Sequence, residues 1–174
     1  MKRVILTSLA VALILTAGAV SVVAQERATI QALATVVSSL RVVGTNNLQF
    51  GTVTPGVNKS VDKATIGFAG EWTIDGSASA ELAISFALPD TMFTTDSLSG
   101  MRVDFQSTDA SYAFLANQQS SPVGSIDPNG PVVRRLPAGG EMLIWIGGTV
   151  YPRISQTGGD YAADIMISVA YTGN

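Results

Sequence analysis

The sequence predicts an all-β sandwich, and three observations carry that prediction. Short stretches in which apolar and polar residues alternate recur along the chain, the period of a strand with one buried face. Clusters of Gly, Pro, Asn, Asp and Ser separate these stretches. Helical periodicity does not return between them. Many short strands with frequent turns form the sandwich pattern.

The elements follow in order. Met1-Lys2-Arg3 is positive, Val4 to Val20 is an apolar run, and Val22-Val23-Ala24 has the small-residue form of a signal-peptidase site. Residues 1–24 are therefore expected to be a cleaved signal peptide, with Gln25 the first residue of the exported chain. A retained anchor is the alternative, because the run is only slightly shorter than the ~20 residues that span a bilayer. Gly18 and the Ala-rich end before Gln25-Glu26-Arg27 favour cleavage, so no membrane span is expected in the mature form. No Cys lies near the cut, which excludes a lipid anchor.

Residues 25–34 form a candidate N-terminal extension ahead of a sandwich domain over 35–174. Within it Ala28, Ile30, Ala32 and Ala34 share one face, with Thr29 and Gln31 on the other and Leu33 interrupting the polar side. Alternatively, residues 28–43 form the ordinary first strand of a complete sandwich, since Val36-Val37 and Leu40 to Val43 have core character. Trp72 and Ile74 then alternate with Glu71, Thr73 and Asp75, and Asp75-Gly76-Ser77 is a turn signal. Leu82, Ile84, Phe86 and Leu88 alternate with Glu81, Ala83, Ser85 and Ala87 up to Pro89-Asp90, so the two segments make a hairpin or a sheet-crossing pair.

Val103 and Phe105 show the same alternation. Pro55-Gly56, Asp96 to Gly100 and Pro137-Ala138-Gly139-Gly140 are turns. Asn117 to Gly130 is the longest expected loop, and its Asp127-Pro128-Asn129-Gly130 fits a β-turn better than a calcium loop. Met142 to Ile146 is apolar on both faces, as in a central strand, and Gly147-Gly148 loosens the chain before Val150-Tyr151. Tyr161, Ile165, Ile167, Val169 and Tyr171 fall on one face of a last strand, with Asp164, Ser168 and Thr172 between them.

Composition narrows the chemistry. The chain has no His and no Cys. A Ser-His-Asp triad, a thiol nucleophile, a disulfide and imidazole or thiolate metal sites are thereby excluded. The acids are spread singly, and none forms a pair suited to acid and base catalysis. No enzyme activity, cofactor or metal is expected. Taking Lys2 and Arg3 from the ten basic residues leaves eight against thirteen acidic ones, a formal net charge of −5. Nucleic acid, which needs a basic face, is a poor partner for such a surface. After residue 24, Arg134-Arg135 is the only adjacent basic pair and fits a solvated strand edge.

Leu48-Gln49-Phe50-Gly51-Thr52-Val53 resembles the "L-x-F-G-x-[VI]" opening of a bacterial secreted family catalogued as domain of unknown function 4402. Gly70 to Leu88 agrees with it, as do Gly147 and Gly148 within Ile146 to Val150, the Gly159-x-Tyr161 pair and Tyr171. That family is similar to fimbrial and spore-coat-type subunits of the chaperone-usher system. The resemblance implies an immunoglobulin-like, pilin-like antiparallel β-sandwich, incomplete by one strand and completed by a donor strand from another copy.

It further implies a structural subunit of a bacterial surface filament that polymerises non-covalently by donor-strand exchange, with a periplasmic chaperone and an outer-membrane usher as partners. The donor would be Ala28, Ile30, Ala32 and Ala34, and the acceptor groove would be bordered by Tyr161, Ile165, Ile167, Val169 and Tyr171. The localisation implied is the periplasm in transit and then the cell surface. Two other classes stay open: a secreted binding or adhesion module that stacks glycans on Trp72, Trp145, Tyr112 or Tyr151, and a monomeric structural protein of the envelope.

Overall fold

The computed structural model of the protein describes residue 31 and residues 39–173. The expected signal peptide and the candidate donor residues Ala28, Ile30, Ala32 and Ala34 lie outside the described residues. The described chain runs through β1 (Arg41–Asn46), β2 (Lys59–Val61), β3 (Gly70–Asp75), β4 (Glu81–Ala87), β5 (Thr91–Thr94), β6 (Gly100–Asp104) and β7 (Ala110–Ala113). A 3-10 turn at Ala116–Gln118 leads to β8 (Gly124–Ile126), β9 (Val132–Arg135), β10 (Glu141–Ile146), β11 (Gly148–Tyr151), β12 (Tyr161–Ala162) and β13 (Met166–Tyr171).

The strands form an antiparallel β-sandwich. The first sheet has the order β1-β3-β10-β7-β8, the second β13-β4-β9 and the third β12-β5-β6-β11-β2. β10 lies between β3 and β7, and residues 142–146 are all buried, which is why its apolar run shows no alternation. Ile74, Met142 and Ile144 of the first sheet share one core with Leu82 and Ile84 of β4. Each such side chain contributes about 1.5–3 kcal/mol by leaving water.

Three strands change sheets and join the layers. β4 leads into β5, β12 leads into β13, and β10 passes into β11 at Gly147. A Cβ at Gly147 would collide with the Val61 carbonyl and the Lys63 amide, so only glycine lets the chain pass there. β3 and β4 are the sheet-crossing pair, since they lie in different sheets. The last strand is not continuous as its alternation suggests. Tyr161–Ala162 belongs to the third sheet and Met166–Tyr171 to the second, with a break between them where Asp164 sits exposed. The expected long loop at 117–130 contains β8, and its final turn is closed by the Asn129 amide donating to the Asp127 carboxylate at 2.9 Å.

The sandwich has an upper end, at the connections between β3 and β4 and between β9 and β10. There Leu40, Leu136 and Tyr171 crowd Gly76 so closely that a Cβ would lie 2.7 Å from the Tyr171 hydroxyl. The lower end carries the turns at 54–57, 94–99 and 153–156. The two long edges also differ. At the β8–β9 edge the chain crosses from the first sheet to the second, and the Arg134 guanidinium spans the gap. It donates to the Ser125 carbonyl at 3.0 Å and lies over the Tyr112 ring, 5.1 Å from its centroid. At the other edge β1 pairs with β3 and β13 with β4, and among the described residues no ladder joins β1 to β13.

Candidate functional site

The unbridged edge opens downward into a cleft of about 1150 Å³. One wall is the chain that follows β1. The ladder with β3 is interrupted between Gly44 and Asn46, and the strand then leaves the sheet. Asn46 donates from Nδ2 to the Ala69 carbonyl at 2.6 Å, and the Gln49 amide donates to the Phe68 carbonyl at 2.7 Å. These bonds hold the Leu48-Gln49-Phe50-Gly51 segment against the core, where Phe50 is buried and Leu48 half-buried. Gly51 turns the chain at φ +62°, in the left-handed region that glycine adopts without strain.

The opposite wall is the segment from Pro152 to Ile165, and its anchor is Tyr161. The Tyr161 hydroxyl accepts from Gln156 Nε2 at 2.6 Å and lies 2.7 Å from the Thr157 carbonyl and 2.9 Å from the Ser99 hydroxyl. Gln156 Nε2 also lies 3.2 Å from the Gly100 carbonyl, which ties the wall to the β5–β6 hairpin. Trp72, Met92 and Met101 supply an apolar floor between the walls. The Trp72 ring meets Phe86 edge-on, with centroids 6.0 Å apart across the two sheets.

The cleft brings together Leu48, Phe50, Gly51, Gly159, Tyr161 and Ile165 from the residues singled out in the sequence. Ile167, Val169 and Tyr171 do not line it. They sit higher on β13, half-buried against the core. Gly147 and Gly148 lie at the crossing from β10 to β11, away from the cleft. Met92, Met101 and Gln156 carried no signal in the sequence, because nothing in their spacing marks them as cleft residues.

The aromatic residues considered as glycan platforms are dispersed. Trp145 is 1% exposed and packs with Ala113 and Leu143 in a second, smaller cluster. Tyr112 lies under Arg134, and Tyr151 under Arg102 at 4.8 Å. Trp72 alone reaches the cleft, from its floor.

The cleft is larger than the roughly 300–1,000 Å³ typical of small-ligand pockets. Its form is that of an elongated groove between two lengths of extended or looping chain, with an apolar floor of Trp72, Met92 and Met101. Among the described residues no group of three or more Asp or Glu side chains is placed to hold a metal ion, and no helix is long and apolar enough to cross a membrane. No protein-family model matches the chain, and no curated protein matches it.

Proposed function

We propose that the protein is a structural subunit of a bacterial surface filament and that copies join non-covalently by donor-strand exchange. The observation that carries this reading is the cleft between the chain after β1 and the chain before β13, at the edge where no ladder joins β1 to β13 among the described residues. A strand laid there would exchange main-chain hydrogen bonds with the walls and cover Trp72, Met92 and Met101, so its apolar face joins a core that is already packed elsewhere. On this reading the domain is an incomplete immunoglobulin-like sandwich, and the occupant is the segment with Ala28, Ile30, Ala32 and Ala34 from another copy. The signal peptide expected over residues 1–24 and the resemblance of Leu48 to Val53 to a secreted, pilin-like family support the same reading. A periplasmic chaperone that fills the cleft before assembly, and an usher that receives the subunit, complete the proposal.

The test is an SDS gel of material sheared from the native cell surface, run with and without boiling. Inserted strands share a core and dissociate slowly, so a ladder that collapses to monomer only on heating is expected. Ile30→Asp places a charge on the donor's apolar face and is expected to remove the ladder while the subunit stays soluble with a donor peptide or chaperone. An unchanged ladder in that variant overturns the donor assignment. A monomer band under both conditions favours the binding module or the monomeric envelope protein.

A further inference from the structure

We infer that the lower end of the sandwich is a docking surface for the upper end of a second copy of this chain, an interface beyond the inserted strand but resting on the strand-exchange reading. Three of the most exposed large apolar side chains lie on turns at the lower end: Ile154 at 90%, Leu98 at 87% and Val57 at 58%. The turns are tied together. The Gly56 amide donates to the Arg153 carbonyl at 3.1 Å, and Gln156 Nε2 lies 3.2 Å from the Gly100 carbonyl in the hairpin that carries Leu98. Two of these turns border the cleft, through Pro55 and Gln156, with Pro152 just ahead of the second.

The occupant follows from where the chain leaves the domain. β1 begins at the upper end, since Arg41 pairs with Asp75 and Leu40 packs near Gly76. The segment proposed to enter a cleft therefore departs from the upper end of its own copy. Residues 35–38 are all that separates Ala34 from Ser39. Fully extended, the five steps from Ala34 to Ser39 span at most about 18 Å. A tether that short holds the upper end of the donor copy at the lower end of the acceptor.

The upper end is suited to receive three projecting aliphatic side chains. Its turns read Gly76-Ser77-Ala78-Ser79-Ala80 and Pro137-Ala138-Gly139-Gly140, small and uncharged, with Ala78, Ser79, Ala138 and Gly139 exposed, and the Arg41–Asp75 and Arg135–Glu81 ion pairs and Glu141 rim them. Apolar side chains that face the small residues of the turns leave water without clash, while the rim charges stay in solvent. The contact is heterologous, because the two ends are different surfaces, and repetition of it builds an open fibre.

The absence of Cys makes the test clean. The full-length double variant Ile154→Cys, Ala138→Cys is assembled and treated with a short bifunctional thiol reagent, beside a control that pairs Ile154→Cys with Ser168→Cys on the outer face of β13. A ladder that survives boiling is expected with the first pair and not with the control. A heat-sensitive ladder without cross-links in the first pair overturns the docking inference and leaves strand exchange standing. Cross-links without a heat-sensitive ladder support the docking and overturn strand exchange, and the loss of both overturns both.

Discussion

The Tyr171 hydroxyl accepts a hydrogen bond from the Ser77 amide at 2.7 Å and so joins residues 94 positions apart. The bond ties the last strand to the turn between β3 and β4, above the point where Leu40, Leu136 and Gly76 meet. Tyr171→Phe keeps the ring and removes this acceptor. The expected loss is at least about 1 kcal/mol, the net value of one hydrogen bond, read as a lower midpoint in urea with an unchanged slope.

Ser111 pairs with Trp145 across β7 and β10 and is fully buried. Its hydroxyl has no hydrogen-bond partner among the described residues. A buried hydroxyl without a partner costs stability, whereas a methyl group in its place does not. Ser111→Ala is expected to raise stability by about 1 kcal/mol, measured by the same urea titration. A loss of stability would show that a partner satisfies the hydroxyl.

Asp96 holds the turn between β5 and β6. Its carboxylate accepts from the Thr94 hydroxyl at 2.6 Å and from the Leu98 amide at 3.1 Å, and these bonds lower its pKa below the ordinary 3.8, Thr94 contributing most. A carboxyl whose folded pKa is lowered adds stability that is present above its unfolded pKa and is lost as the pH falls through its folded one. The turn is therefore expected to loosen only below the ordinary carboxylate range. An NMR titration of the Asp96 carboxyl checks the direction, and Thr94→Val should move the midpoint back upward.

The elements legible in the sequence are those whose own pattern decides their position. Leu82, Ile84 and Phe86 alternate because one face of β4 is buried, and residues 142–146 do not because both faces of β10 are. β2 at Lys59–Val61 and β7 at Ala110–Ala113 were not visible, since they are short and owe their extended form to the neighbours they pair with. The break before β13 was hidden for another reason. Asp164 falls on the polar phase of the alternation, so a change of sheet leaves the pattern intact. One wall of the cleft was marked by Leu48, Phe50 and Gly51, while its floor of Trp72, Met92 and Met101 depends on how three sheets meet.

The pairing of β13 with β4, in which Tyr171 lies opposite Leu82, also bears on how quickly the domain can form. Ladders between distant parts of a chain require a large loop to close before any contact compensates for it, and sandwiches of this kind fold on the order of milliseconds to seconds. Until β13 arrives, β4 has one edge bare and the side chains beneath Ile167 and Val169 remain wet. The interval before that closure is when the chain is most exposed to aggregation.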